Sequence, residues 1–223
     1  MEPVVAIDGP SGAGKSSVSR AVARRGGWRY LDTGALYRAM TLGLIRAGLA
    51  QVTGDREAWI CATAPGITVS VGLSPDEPAI FLDDVEVGSE IRGDEVTRNV
   101  SEVSAVPCVR TRLLAIQRDL IAAGGIVVEG RDIGSLVWPQ AEVKFFLTAD
   151  LTARARRRHA EGVTEKGLDF VEGSLAARDQ FDSTRTVSPL AMATDAVLLD
   201  TTDLTFDEVV ERIWNEIERG LAS

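Results

Sequence analysis

The amino-acid sequence predicts an α/β fold in which five parallel strands alternate with helices in a doubly wound sheet. Three observations support this prediction. Five short apolar runs have the length and composition of buried strands, and stretches with helical periodicity separate them. A glycine-rich turn follows the first run directly. Between the second and third runs, a differently patterned segment predicts a small antiparallel β insert.

The core elements follow from the sequence in chain order. The predicted strands are VVAI before Asp8-Gly9, Trp28 to Leu31, IVVE at 126–129, VKFFL at 143–147 and AVLLD at 196–200. A first helix places Val18, Ala21 and Val22 on one face, and a second runs from Thr33, its N-cap, to about Leu49. Pro107 opens a helix that extends to about Ala123 and stops at Gly124-Gly125. The last helix begins near Thr205 and aligns Val209, Ile213 and Ile217.

The segment from about residue 66 to 88 has a different character. It contains three short alternating runs, separated by turn residues: ITVSV, AIFL and VEV. Alternation with a period of two is typical of half-buried antiparallel strands. We therefore expect an inserted subdomain at this point rather than a continuation of the parallel core.

Composition excludes several classes of protein. The chain of 223 residues carries a net charge of −9, which argues against a general binder of nucleic-acid polymers or anionic membranes. No apolar run approaches the roughly 20 residues of a membrane span, and the N-terminus lacks the basic start of a signal peptide. These features predict a cytoplasmic protein, and we expect Cys61 and Cys108 to be buried reduced thiols.

The strongest motif is a phosphate-binding loop between the first strand and the first helix. It matches G-x-x-x-x-G-K-[ST], and we expect it to bind ATP through the loop and the residue after it: Gly9, Pro10, Ser11, Gly12, Ala13, Gly14, Lys15, Ser16 and Ser17. Glycines let backbone N–H groups turn towards phosphate oxygens, and the helix N-terminus adds a positive dipole. Lys15 is expected to reach the β and γ phosphates, and the Ser16 hydroxyl can ligate Mg²⁺.

A P-loop alone leaves three classes open: a phosphotransferase acting on a small acceptor, a GTPase switch, and a motor or transport ATPase. No Asn-Lys-x-Asp motif and no Leu-Ser-Gly-Gly-Gln motif occurs in the sequence. The absence of these two motifs therefore favours a phosphotransferase that acts on a small acceptor.

Acidic and arginine side chains lie at the end of the third core strand and directly after it. Ligands of open α/β sheets bind beyond the carboxyl ends of the strands, which places Glu129, Arg131 and Asp132 well for a functional site. Glu129 could hold a Mg²⁺-bound water in the manner of a Walker B acid. Two further sets of residues are spaced so that each set lies on one face of its own helix. Each can be an anion site or an ordinary solvated surface: Arg154, Arg157 and Arg158, and Arg178, Asp182 and Arg185.

In combination, these motifs resemble those of the bacterial cytidylate kinases, within the nucleoside monophosphate kinase family. The resemblance runs nearly end to end and is carried by IDGPSGAGKSS, LDTGALYR, SEIRGDEV, SEVSAVPCVR, VVEGRDIG and RDQFDSTRTVSPL. It implies a helical lid and a monophosphate-binding insert. The chain then divides into core with P-loop (1–65), insert (66–105), core (106–150), lid region (151–185) and core (186–223).

The resemblance also implies roles for individual residues. Those expected to bind CMP are Thr33, Tyr37, Arg38, Ser101, Arg110, Arg131, Asp132, Arg178, Asp182 and Arg185. Lid residues facing ATP would be Arg154, Arg157 and Arg158, and the catalytic set would be Lys15, Arg131, Asp132 and Arg158. Two departures stand out: Glu129 occupies a position where Asp is often found, and Phe181 one where some relatives carry arginine.

The expected activity is transfer of the γ-phosphoryl group of ATP to CMP or dCMP by a monomer with Mg²⁺. A kinase of another small acceptor, such as UMP or shikimate, remains open. A nucleotide-dependent switch or binding module that transfers no phosphate is the alternative from a different class.

Overall fold

A computed structural model describes residues 2–160, 167–184 and 189–222. Within these residues the chain forms a parallel sheet of five strands in the order β2-β6-β1-β7-β8, confirming the predicted doubly wound core. The strands are β1 (Val4–Asp8), β2 (Arg29–Asp32), β6 (Ile126–Gly130), β7 (Val143–Thr148) and β8 (Val197–Asp200). A second, antiparallel sheet has the order β3-β4-β5, with strands at Val69–Val71, Ile80–Leu82 and Val85–Glu86.

The helices lie between and after these strands, in several places two in succession. They are α1 (Lys15–Gly26), α2 (Thr33–Arg46), α3 (Arg56–Thr63), α4 (Asp94–Ala105), α5 (Pro107–Ile121), α6 (Leu151–Ala160), α7 (Leu168–Thr184) and α8 (Phe206–Leu221). Single turns of 3₁₀ helix occupy Leu49–Gln51, Ala64–Gly66 and Glu90–Arg92, and a π turn occupies Ile133–Val137. None of the helices in the described ranges is both long and apolar enough to cross a membrane.

The parallel sheet separates two hydrophobic clusters. On one face, Val18 and Val22 of α1 and Ile213 of α8 pack against alternate residues of β1, β6 and β7. On the other face, α2 and α5 pack together with the insert against the remaining residues of the strands. β1 is the central strand, and its alternate residues pack in the two clusters on opposite faces of the sheet, which explains why its sequence is continuously apolar before Asp8.

The predicted last helix is confirmed together with its start. Thr205 caps α8 by accepting a hydrogen bond from the backbone N–H of Glu208, whose side chain accepts from the backbone N–H of Thr205 in return. The hydrophobic face of α8 is buried as expected, with Val209, Ile213 and Ile217 at most 3% exposed. The capping residue and the spacing of the apolar residues therefore predict the same helix.

Two details of the predicted elements are wrong. The N-cap of α2 is Asp32, whose carboxylate accepts from the Ala35 backbone N–H at 3.0 Å, while Thr33 is the first helical residue. The AVLLD run does form a strand, but Leu198 is 59% exposed. β8 is one of the two edge strands, and Leu198 packs in neither hydrophobic cluster, whereas Tyr30 and Leu31 of the other edge strand, β2, do.

The expectation of two separate thiols is also wrong. Cys61 on α3 and Cys108 on α5 form a disulfide, with their Cα atoms 5.7 Å apart. The two helices lie side by side on the insert side of the sheet, and both cysteines are partly buried against the same core cluster. The disulfide joins positions 47 residues apart in the sequence.

Candidate active site

The loop between β1 and α1 has the backbone conformation that its glycines predict. Gly9 and Gly14 both have positive φ, at 145° and 87°, which residues with a side chain rarely adopt. A Cβ atom on Gly9 would lie 2.0 Å from the carbonyl oxygen of Leu147, so the loop can approach β7 only without one. The loop is thereby placed at the carboxyl end of β1, the usual ligand-binding edge of such sheets.

Lys15 begins α1 and is buried under this loop. Its ammonium group donates a hydrogen bond to the Pro10 carbonyl oxygen at 2.8 Å. Burial, followed by the neighbouring Arg131 guanidinium, lowers the pKa of Lys15 from 10.5 to about 7. A phosphate group brought to this position would supply the anionic partner that favours the charged lysine.

Glu129 lies opposite Lys15 and is held by two hydroxyl groups. Ser16 donates to its Oε2 atom at 3.0 Å, and the buried Tyr30 hydroxyl donates to its Oε1 atom. Burial, and then the negative charge of Asp32, raise the pKa of Glu129. The backbone of Glu129 is fixed as well, because Thr33 donates to its carbonyl oxygen at 2.8 Å.

Arg110 and Asp132 form a buried ion pair away from the P-loop. Their side chains are only 8% and 9% exposed. The guanidinium also donates to the Ser104 carbonyl oxygen at 3.3 Å and lies 5.6 Å from the centroid of the Tyr37 ring. A buried pair of this kind is a poor source of stability, since both charges lose hydration. Its fixed donors and acceptors are instead suited to reading a polar ligand.

A second ion-pair group links the loop after β6 to α7. Arg131 donates to Asp182 at 3.0 Å, and the Nε atom of Arg178 lies 4.0 Å from the same carboxylate oxygen. Asp182 is therefore shared by two arginines that line the cleft. Arg38, on α2, is fixed separately by hydrogen bonds to the Ile91 carbonyl oxygen and to the Thr97 hydroxyl, at 3.0 and 3.1 Å.

The arginines of α6 have different surroundings. Arg154 is buried and donates to the Ser11 carbonyl oxygen of the P-loop at 3.1 Å and to Asp179 at 2.5 Å. Arg157 donates to the hydroxyl of Thr201 at 2.9 Å and also to its carbonyl oxygen. Arg158 points to the cleft and lines it. Two of these arginines are thus hydrogen-bonded to protein groups, and the third lines the cleft.

One cleft of about 350 Å³ contains most of the candidate residues. The predicted residues that line it are Ser11, Gly12, Gly14, Lys15, Ser16, Ser17, Thr33, Tyr37, Arg38, Arg110, Glu129, Arg131, Asp132, Arg158, Arg178 and Asp182. Over the ranges that the structure describes, eight cationic side chains face four carboxylates in this lining. The cleft is thus electropositive, although the whole chain carries a net charge of −9.

Other candidates lie outside the lining of this cleft. Ser101 lines a neighbouring cavity between α4 and α7. Gly9, Pro10 and Ala13 belong to the P-loop without lining the cleft. Arg154 and Arg157 make the hydrogen bonds given above. Arg185 lies outside the described residues, as does any contact it makes.

Sequence reasoning missed several residues that support the site. Asp8, at the end of β1, accepts hydrogen bonds from the backbone N–H groups of Ile133 and Gly134, each at 2.8 Å. It thereby fixes the segment immediately after Asp132. Tyr30 was also missed, although it precedes Asp32 by two residues and so shares a strand face with it. Arg20, on α1, lines the cleft and donates to the Pro75 carbonyl oxygen of the insert at 2.8 Å.

These features define a P-loop kinase. Its sheet is parallel, a P-loop with a lysine lies at the carboxyl ends of the strands, and an arginine-lined cleft lies beside that loop. Two solved structures share the fold across nearly the full length of both chains. They are the Thermus thermophilus protein TT1252 (TM-score 0.51, 21% identity, covering 99% of each chain) and an uncharacterized Eubacterium ventriosum protein (TM-score 0.52, 11% identity, covering 98% of this chain and 99% of the other).

The family is shown by the sequence comparisons, and the chain belongs to the cytidylate kinase family. The family model for cytidylate kinase matches residues 5–219. The chain is 53% identical to the cytidylate kinase of Rhodococcus opacus over 94% of this chain and 92% of that protein. It is 52% identical to the cytidylate kinase of Nocardia farcinica, over 99% and 95% of the two chains.

Proposed function

We propose that the protein transfers the γ-phosphoryl group of ATP to CMP or dCMP, giving ADP and CDP or dCDP. The observation that carries the proposal is the buried pair of Arg110 and Asp132, which lies in the same cleft as the P-loop. Membership of the cytidylate kinase family supports it. In this proposal one end of the cleft holds the donor phosphates and the other reads the acceptor base.

The donor end is formed by the P-loop and the start of α1. Backbone N–H groups of the loop and the positive end of the helix dipole attract the ATP phosphates. Lys15 adds a positive charge at the β and γ phosphates, where negative charge accumulates during transfer. Because these groups are already positioned, little reorganisation is needed when the reaction begins.

The acceptor phosphate is assigned to arginines that converge from different elements. Arg38 of α2, Arg131 after β6 and Arg178 of α7 line the cleft together. Planar guanidinium groups can bind phosphate through two parallel hydrogen bonds, which fixes the direction of the attacking oxygen. Asp182 holds two of these arginines in place and is the candidate partner for the acceptor pentose.

The acceptor base is assigned to Arg110 and Asp132. The exocyclic amino group of cytosine is a donor, which matches a carboxylate acceptor. An arginine donor matches the ring nitrogen and carbonyl oxygen of cytosine. Uracil presents an oxygen in place of the amino group and a ring N–H, so its donors and acceptors are reversed at two positions. The pair should therefore favour cytosine, and Ser101 is a further candidate contact.

The oxygen ligands of Ser16 and Glu129 fit Mg²⁺, which is commonly held by one or two carboxylates and the substrate phosphates. In the described part of the chain, no group of three or more His, Cys, Asp or Glu side chains could hold a metal ion without substrate phosphates as further ligands. Bound with ATP, Mg²⁺ would neutralise charge on the transferring phosphoryl group. Ser16 would contact it directly and Glu129 through a water molecule.

Transfer is proposed to be direct and in line, without a covalent intermediate. Water competes with the acceptor for the phosphoryl group, so the cleft must exclude it when both substrates are bound. Region 151–185 is the candidate lid, with Arg158 facing the cleft and Arg154 and Arg157 anchoring the region to the P-loop and to Thr201. We place the reaction in the cytoplasm, where reducing conditions act against the Cys61–Cys108 disulfide, and expect a monomer without affinity for nucleic-acid polymers.

A coupled assay of ADP release with CMP, dCMP, UMP, AMP and shikimate tests this function. CMP and dCMP should be phosphorylated most efficiently, with UMP poorer and shikimate inactive. Equal use of UMP and CMP would contradict the base assignment. ATP binding without acceptor-dependent ADP release would support a switch or binding module instead.

A further inference from the structure

Tyr30 is a buried polar side chain outside the cleft. It lies on β2, is 3% exposed, and its ring packs in the cluster formed by α1, α8 and one face of the sheet. It does not line the substrate cleft. Any effect of its hydroxyl group on substrates must therefore pass through another residue, and its hydrogen-bond acceptor is Glu129.

The strand register explains why Tyr30 and Glu129 meet. In the pairing of β2 with β6, Tyr30 is opposite Val127 and Asp32 is opposite Glu129. Alternate residues of a strand share a face, so Tyr30 and Glu129 are diagonal neighbours on the face that carries α1. A tyrosine ring and a glutamate side chain are both long enough to meet across this diagonal.

The two oxygens of Glu129 have separate partners. Tyr30 donates to Oε1, and Ser16, the second residue of α1, donates to Oε2 at 3.0 Å. With Oε1 fixed by a group behind the cleft, Oε2 is directed towards Ser16 and the phosphate-binding side. An aspartate at position 129 is shorter by one methylene, so its carboxylate would withdraw from both hydroxyl groups.

We propose that Tyr30 is a positioning residue for the metal side of the site, and that its hydroxyl group orients the Glu129 carboxylate for Mg²⁺. This inference rests on the proposed function, which assigns Mg²⁺ to Ser16 and Glu129. Tyr30 and Glu129 act as a matched pair: the phenol holds one oxygen of a side chain long enough to reach it, and the other oxygen serves the metal. Hydrogen-bond partners of metal-binding groups commonly change metal affinity by about 10- to 100-fold when removed.

The test is the affinity of the protein–ADP complex for Mn²⁺, measured by electron paramagnetic resonance, in Tyr30→Phe. This variant removes one oxygen atom and keeps the ring in its packing. We expect Mn²⁺ affinity to fall by about tenfold or more, while ADP affinity measured in the presence of a chelator stays unchanged. Ser19→Ala is the matched control, because the Ser19 hydroxyl is buried on α1 and has no hydrogen-bond partner among the described residues; its Mn²⁺ affinity should equal that of the wild type.

The variant Glu129→Gln separates failure of this inference from failure of the proposed metal site. If Glu129→Gln weakens Mn²⁺ binding and Tyr30→Phe does not, the role of Tyr30 is wrong and the metal site stands. If Glu129→Gln has no effect, the metal site itself is wrong, and the inference falls with it. The double variant should bind Mn²⁺ no more weakly than Glu129→Gln alone, since Tyr30 acts through Glu129; additive losses would show that Tyr30 acts by some other route.

Discussion

Lys15 is a cation placed where burial makes its charge costly. In the unfolded chain its pKa is ordinary, whereas burial in the folded protein lowers the pKa to about 7. Between these two values the unfolded state binds more protons, so the lysine's contribution to stability increases as pH rises. At pH 7 and below, burial of the charged lysine lowers the free energy of unfolding by its full amount.

We therefore expect Lys15→Met to be less active and, near neutral pH, more stable than the wild type. Turnover should fall by about three powers of ten, roughly 4 kcal/mol of transition-state stabilisation. Denaturant unfolding from pH 6 to pH 10 should show the stability advantage of the variant at the low end, decreasing above pH 7. A constant or increasing advantage would show that the buried charge is not the cause.

Asp132 is expected to govern the choice of base rather than the binding of ATP. Asp132→Asn keeps the shape of the side chain but replaces one acceptor with a donor. Hydrogen bonds to charged groups contribute about 1.5–3 kcal/mol, so the KM for CMP should rise about 10- to 100-fold while the KM for ATP changes little. Steady-state kinetics with each substrate varied in turn measures this, and an equal rise in both KM values would contradict the role.

At the scale of elements, the disulfide joins two helices that the sequence does not connect closely. In the chain-entropy treatment, closing a loop of this length stabilises a protein by about 4 kcal/mol. It also fixes the start of α5, only two residues before Arg110.

Replacing both cysteines by serine should therefore lower the Tm of the oxidised protein by roughly 10 °C, given about 2–4 °C per kcal/mol for a chain of this size. A thiol reductant should lower the Tm of the wild type to a similar extent and leave the double variant unchanged. Differential scanning calorimetry with and without reductant measures both effects. A wild-type Tm that does not respond to reductant would contradict the stabilising role.

The elements that were predicted correctly have local signals. The apolar runs, the glycines of the P-loop and the capping residue Thr205 each determine structure within a few residues. The N-cap of α2 was misplaced by one residue, which is a local error. The other errors arose where the outcome depends on distant parts of the chain. Leu198 is exposed because it packs in neither hydrophobic cluster at the sheet edge, and the cysteines pair because α3 and α5 are neighbours. Neither the strand order nor that contact is encoded in a local pattern.

The same distinction applies to the candidate site. Motifs identified Lys15, Glu129 near the end of β6 and Asp132 after it, and the structure brings them to one cleft. The spacing of Arg154 and Arg157 predicts a shared helix face, but it contains no information that Ser11 and Thr201 lie opposite them. Tyr30 was missed because its significance depends on the pairing of two strands almost 100 residues apart.

For the whole molecule, the main electrostatic feature is the contrast between an acidic chain and a cationic cleft. Phosphate binding should be salt-sensitive because the cleft is open to solvent and its charges are screened by ions. We expect CMP affinity to fall roughly tenfold, about 1.4 kcal/mol, between 50 mM and 500 mM NaCl. Calorimetry with cytidine, which lacks the phosphate, is the control and should show little change; an equal loss for cytidine would mean that the phosphate charge is not the cause.

The excess of arginines in the cleft also affects how closely the elements around the cleft can approach one another. Guanidinium groups from the loop after β6, from α6 and from α7 repel one another, and Asp182 offsets this repulsion between Arg131 and Arg178. Drawing Arg158 of α6 closer to this pair is unfavourable without a further anion. Each phosphate that enters removes part of this repulsion. In the proposed function, a cleft holding only one substrate would keep part of this repulsion, and full convergence of these elements would need donor and acceptor together. Such a requirement would limit the hydrolysis of ATP before the acceptor has bound.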